Sequence, residues 1–250
     1  SGARSRRNLP RSPKPVAGVN RIVKRLLVSA AVLVVLAAGI FLAGPRVASD
    51  TTVTFDPAAI GPDPEAYLAR TEAAVAGIRP GLDKEIVWAD PATRAKTPIA
   101  LVYVHGFSAS KGEVRPLPDR VAATLGANLF YTRLTGHGMD GAAMSAGSVN
   151  AWVNDYAEAL AIGRAIGEKI VVIGVSTGAS LASWAATQPG AIGDIAGMAL
   201  ISPNYGVQAA GAEILPMPCG SQIARLVACS ERRVKPLNHL NAKYWTPRYH

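Results

Sequence analysis

The sequence predicts an α/β protein with a mostly parallel sheet covered by helices on both faces, carried behind an N-terminal transmembrane helix. Three observations predict it. Short apolar runs alternate with stretches of helical spacing through residues 63–204, the pattern of strand–helix–strand units. One run, Ile170 to Val175, leads at once into G-x-S-x-G at Gly174 to Gly178. Leu26 to Pro45 is a stretch of 20 residues without a charge, between Arg25 and Arg46. As a helix such a run is about 30 Å long and matches a bilayer core.

The N-terminal residues carry the charge. Arg4, Arg6, Arg7, Arg11, Lys14, Arg21, Lys24 and Arg25 are eight of the 26 basic residues, with no acid among them. The other 18 stand against 17 acids, so the net charge of +9 belongs mostly to a tail. A nucleic-acid-binding domain spreads its basic residues over a folded face, and no nucleic-acid partner is expected. The basic flank precedes the apolar run. The positive-inside rule therefore puts residues 1–25 in the cytoplasm and the domain outside, and the polar, basic, proline-containing residues 1–21 are expected to be disordered. A secretory signal peptide has an apolar region of roughly 7–15 residues followed by a small-x-small site. Here the run is longer and Val47-Ala48-Ser49 is a poor site. The expectation is a single-pass anchor at 26–45 and a linker at 46–62. Outside the cytoplasm the two cysteines, Cys219 and Cys229, are candidates for a disulfide closing a short loop; two free buried thiols are the alternative.

The elements follow in order. Asp63 to Val75 predicts a helix, with Asp63 as cap, Pro64 at the first position and Tyr67, Leu68, Ala74 and Val75 as its apolar stripe. Lys84 to Trp88 predicts a short strand near the sheet edge. Ile99 to Val104 predicts a buried strand, Leu117 to Leu125 a helix and Leu129 to Leu134 another strand. Val149 to Ile166 places Trp152, Val153, Tyr156, Leu160 and Ile166 at helical spacing. Ile170 to Val175 is a strand buried on both faces. Ala179 to Thr187 is a helix, and Ala196 to Ser202 a further strand. The core is thus expected over 63–204. From residue 205 to 250 prolines and patches of amphipathic helix predict a cap or lid over the sheet rather than another strand.

The spacing of the serine motif has a physical reason. A serine at a sharp strand-to-helix turn sits in a strained conformation with its hydroxyl exposed. Residues two before and two after it approach each other closely, and Gly174 and Gly178 meet that demand. The helix N-terminus adds N–H groups and partial positive charge beside the serine oxygen. Ser176 is the candidate nucleophile.

Two more motifs stand in order with it: VYVHGFSAS at Val102 to Ser110 and RLTGHG at Arg133 to Gly138. On these motifs the chain resembles the α/β-hydrolase superfamily, especially its monoacylglycerol-lipase-like and carboxylesterase-like serine hydrolases, over about Lys84 to Asn204. The resemblance implies an oxyanion hole made by the backbone N–H groups of Phe107 and Thr177, with Gly106 letting the backbone come near the substrate oxygen. It implies that His105 orients its loop by hydrogen bonding, and that His137 shapes the site floor rather than acting as base. Ser108 and Ser110 read as loop hydroxyls. No metal-ligand cluster and no dinucleotide fingerprint is present, so no cofactor is expected.

A serine nucleophile needs a histidine and a carboxylate, in the order Ser, acid, His. After Ser176 the acids are Asp194, Glu213 and Glu231, and the histidines are His239 and His250. Asp194 precedes a strand and lies at its wrong end; the others fall in the cap or at the terminus. No triad acid or base is assigned. The core is therefore expected to be incomplete at its C-terminal strands. The function expected is a membrane-anchored serine hydrolase that cleaves an ester or thioester, such as a lipid-like acyl substrate, through an acyl-enzyme on Ser176. The alternatives are an inactive truncated hydrolase and a non-enzymatic membrane-tethered binding domain on the same fold.

Overall fold

A computed structural model of the chain describes residues 17–47, 49–190, 193–206, 211–228, 232–233 and 239–249. Helix α1 spans Ala17–Leu42. Its segment Arg21–Leu42 has 22 residues, a mean hydropathy of 2.5 and no share buried in the fold. It is long and apolar enough to cross a membrane, a property that signal sequences share. Residues 17–21, expected to be disordered, instead begin this helix, which continues through the rest of the basic stretch to Arg25. Pro15 is the last proline before Pro45, so nothing interrupts the ladder of backbone hydrogen bonds between them. The remainder of the tail, 1–16, lies outside the described residues.

The stretch 46–62, expected as a linker, joins the fold in its second half. The Asn154 carboxamide oxygen accepts the N–H groups of Thr54 (2.7 Å) and Phe55 (2.8 Å). Asp56 caps a short 3-10 turn over Pro57–Ile60, and Ile60 is buried in the core. Two backbone donors satisfied by one amide, and one apolar anchor, are enough to hold this segment down. Helix α2 (Pro64–Ala73) starts as expected, with the Asp63 carboxylate accepting the N–H groups of Glu65 and Ala66 at 3.0 Å. It ends before Val75, because the Val75 N–H bonds back to the Glu72 carbonyl and the chain turns through Gly77 at φ 84°.

The strands are β1 (Glu85–Val87), β2 (Thr97–Val104), β3 (Asn128–Tyr131), β4 (Gly167–Val175) and β5 (Ile195–Ile201). They form one five-stranded sheet in the order β1-β3-β2-β4-β5. Only β1 is antiparallel to its neighbour. Crossovers carry α3 (Leu117–Leu125), α4 (Val149–Ile166) and α5 (Thr177–Ala186). Side chains alternate along each strand. Ala100, Val102 and Val104 pack with Phe130, Ile170 and Val172 against α4 and α5. Leu101 and Tyr103 pack with Leu129, Tyr131 and Ile173 on the opposite face, where α3 supplies Ala122. Strand β5 is an edge among the described residues, and its Met198 is 38% exposed.

Beyond β5 lie α6 (Gly220–Ala228) and α7 (His239–Tyr244). Where no strand was expected, β6 (Arg232–Arg233) and β7 (Arg248–Tyr249) form a separate antiparallel pair of two residues each. Residues near α7 dock on the loop after β2. The Ser110 hydroxyl donates to the Tyr244 carbonyl (2.8 Å), and the Thr246 N–H donates to the Ser108 carbonyl (2.7 Å). Cys219 is a free thiol against the Gly44 backbone; Cys229 lies outside the described residues.

Candidate active site

Strand β4 ends at Val175 and α5 begins at Thr177, so Ser176 occupies a one-residue turn. Its backbone has φ 48° and ψ −111°, a region that costs a non-glycine residue about 1–3 kcal/mol. Backbone hydrogen bonds hold it there. The Ser176 N–H donates to the Ile201 carbonyl at the end of β5 (2.9 Å), and the Ser176 carbonyl accepts the Ser180 N–H of α5 (3.0 Å). The glycines allow the turn to close. A Cβ on Gly174 would lie 2.7 Å from the Ala179 Cα, and one on Gly178 would lie 2.2 Å from the Val104 carbonyl oxygen. Ser176 is half-buried, and among the described residues no side chain hydrogen-bonds its hydroxyl.

The loop after β2 runs alongside. A Cβ on Gly106 would stand 3.2 Å from the Ser176 Cβ, so the Gly106 backbone faces the serine directly. His105 is fully buried. Its Nε2 accepts the Leu134 N–H (3.1 Å), which leaves the ring proton on Nδ1, donated to the Gly106 carbonyl (2.8 Å). Burial pushes its pKa down to about 3. A neutral ring with both nitrogens engaged is a brace, not a proton shuttle. Phe107 is 39% exposed, and its ring meets those of His137 (5.8 Å) and Trp152 (6.1 Å) edge-on.

The TGHG turn forms the neighbouring wall. Gly136 and Gly138 adopt φ 84° and 73°. The Asp155 carboxylate accepts the Thr135 N–H (2.6 Å) and hydroxyl (3.1 Å). The Thr135 carbonyl accepts Trp152 Nε1–H (3.0 Å) and His137 Nδ1–H (3.2 Å). His137 is buried, its pKa is lowered to about 4 by desolvation, and its Nε2 has no hydrogen-bond partner among the described residues. Neither His105 nor His137 hydrogen-bonds Ser176.

Residues after Ser176 do not complete a triad among the described residues. Asp194 pairs with Arg164 at the N-terminal end of β5, opposite the elbow. Glu213 and His239 are exposed, and Glu231 and His250 lie outside the described residues. Sequence reasoning missed Glu113 and Asp155. Glu113 accepts the Gly106 N–H (2.8 Å) and the Tyr103 hydroxyl (3.1 Å), and burial raises its pKa. Burial likewise raises that of Asp155. Nothing in the local sequence around either acid marks it as buried.

A strained serine at a strand-to-helix turn, on a sheet with helices on both faces, defines an α/β-hydrolase. The family model described as serine aminopeptidase, S33, matches residues 95–246, and the chain belongs to that family. A solved structure reported for LipS and LipT, two metagenome-derived lipolytic enzymes, is similar over 63% of this chain and 57% of that one, at 24% identity and a TM-score of 0.50. That likeness shows the fold, and the chain spans a little over half the length of that structure. A comparison with curated proteins finds no match.

Proposed function

We propose that the chain is the nucleophile-bearing part of a membrane-anchored serine hydrolase acting on carboxylic esters or thioesters. The observation that carries this reading is the geometry of Ser176: φ 48° and ψ −111°, wedged between Gly174 and Gly178 with no room for a Cβ at either. A backbone held in this conformation has a cost that a plain structural turn does not require. Ser176 attacks the acyl carbon, the N–H groups of Phe107 and Thr177 hold the oxyanion, and water hydrolyses the acyl-enzyme. The donor from Thr177 sits at the N-terminus of α5, where unpaired N–H groups and the helix dipole favour negative charge. Each such donor is worth about 2.7–4 kcal/mol to the transition state. The half-exposed Phe107 ring against Trp152 and His137 offers an apolar wall, which favours a lipid-like acyl group. The helix at Arg21–Leu42 supplies the anchor, with the basic residues before it on the cytoplasmic side.

The test is labelling of the detergent-solubilised full chain with a fluorophosphonate probe. Labelling that disappears in Ser176→Ala supports the reading. Absence of labelling in the wild type overturns it in favour of the inactive-truncation or binding-domain alternatives, and labelling that survives Ser176→Ala overturns the assignment of Ser176.

A further inference from the structure

We propose that Glu113 is a positioning residue of the acyl-transfer site, fixing the peptide that presents the Phe107 N–H to the oxyanion. The proposal rests on the serine-hydrolase reading above. Glu113 and Ser176 both crowd the space a side chain at Gly106 would fill. A Cβ built there would lie 2.8 Å from Glu113 Oε1 and 3.2 Å from the Ser176 Cβ. The two peptide units flanking Gly106 are pinned by different groups. On its N-terminal side, the Gly106 N–H is drawn to Glu113 Oε2 at 2.8 Å. On its C-terminal side, the Gly106 carbonyl accepts His105 Nδ1–H (2.8 Å) and the Ala109 N–H (3.2 Å). Within a trans peptide the carbonyl and the next N–H point in opposite directions. Fixing the Gly106 carbonyl on the buried His105 ring therefore aims the Phe107 N–H away from that ring. Glu113 supplies the second constraint, without which the loop is free to rotate about Gly106, the residue with fewest steric limits.

The surroundings of Glu113 argue against a role in fold stability alone. Its basic neighbours in sequence are engaged elsewhere: Lys111 with Glu85 and Asp83, Arg115 with Glu85 and Asp119. Among the described residues Glu113 makes no ion pair, and its partners are the Tyr103 hydroxyl and the Gly106 amide. A buried carboxyl without a counter-charge is a poor stabiliser. One carboxylate oxygen, Oε2, that accepts both the Gly106 amide beside Ser176 and the Tyr103 hydroxyl makes a good positioner.

The experiment measures the fluorophosphonate labelling rate of the full chain, normalised to the fraction of protein that labels at completion. Glu113→Gln keeps an acceptor for the Gly106 N–H and should stay within about threefold of wild type. Glu113→Ala removes it and should slow labelling at least tenfold, since a misplacement of about 1 Å in such a site is worth up to roughly 100-fold. Glu113→Asp, one methylene shorter, should also slow labelling and is the variant to read if Glu113→Ala does not fold. A folded Ala or Asp variant that labels at the wild-type rate overturns the proposal. So does a Gln variant as slow as Ala, because charge rather than acceptor geometry would then matter. A wild-type chain that does not label at Ser176 refutes the serine-hydrolase reading instead, so the two failures are distinct.

Discussion

Replacing Gly178 by alanine tests the elbow most directly. The added Cβ would meet the Val104 carbonyl oxygen at 2.2 Å, the Val104 carbonyl carbon at 2.7 Å and the His105 carbonyl oxygen at 2.8 Å. All three are backbone atoms at the end of β2, which is fully buried there. No side chain is available to swing aside. Restoring ordinary separations needs a displacement of roughly 1 Å between α5 and β2 in a close-packed region. Overpacking of this kind costs about 1–3 kcal/mol, against about 1 kcal/mol gained from better helix propensity. The net loss of up to about 2 kcal/mol should lower the melting temperature by up to about 8 °C, at about 2–4 °C per kcal/mol for a domain of this size. The rate should suffer more, because the same displacement separates Ser176 from the loop that carries Gly106 and Phe107. A loss approaching 100-fold in labelling rate is expected. Gly197→Ala is the control: it lies in β5 with nothing within 4 Å of its Cβ position, and it should leave both quantities close to wild type. A Gly178→Ala protein with wild-type melting and labelling would refute the reasoning.

The remaining predictions follow from charge and burial. A reporter active only outside the cytoplasm, fused after residue 250, should be active, because the basic residues precede the apolar helix; activity of a cytoplasm-only reporter there would reverse the orientation. Burial holds His105 at about 3 and His137 at about 4, below the ordinary 6.5. The unfolded chain takes up these protons first, so their contribution is complete above pH 6.5 and is lost as the pH falls toward those lower values. Each histidine adds a slope of about 1.4 kcal/mol per pH unit in that window, and the raised carboxyls of Glu113 and Asp155 work in the opposite sense. His137→Gln should flatten the denaturation midpoint against pH; an unchanged slope would contradict the assignment. Glu158→Ala strands Lys84, whose side chain is 8% exposed, and removes the acceptor of the Tyr67 hydroxyl; unfolding in urea should show a loss of about 3–5 kcal/mol, and a loss below 1 kcal/mol would mean that water reaches the pair.

What the sequence revealed was set by how locally each constraint is written. Helices α3 and α4 have the expected ends because their caps lie beside them: Gly126 turns at φ 59° after α3, and the Ser148 hydroxyl accepts the Ala151 N–H at the start of α4. The elbow is written within five residues and was legible for the same reason. Strand β2 begins at Thr97 rather than Ile99 because Thr97 pairs with Gly167, far along the chain. The antiparallel pairing of β1 with β3 is likewise non-local. Glu113 and Asp155 escaped notice because an acid's burial is decided by what packs over it. Tyr103 and Gly106 cover one, and the Thr135 turn the other. Ser176 itself joins the two kinds of constraint. The glycine spacing permits the strained turn, but the constraints that keep it come from elsewhere: β5 through the hydrogen bond to the Ile201 carbonyl, and β2 through the close approach of the Val104 carbonyl to Gly178. Strain at one residue persists only where its surroundings over-determine it. Here three neighbouring strands, β2, β4 and β5, must be in register before Ser176 can hold its conformation, so the labelling proposed for Ser176 would report the pairing of the sheet as well as the chemistry of the site.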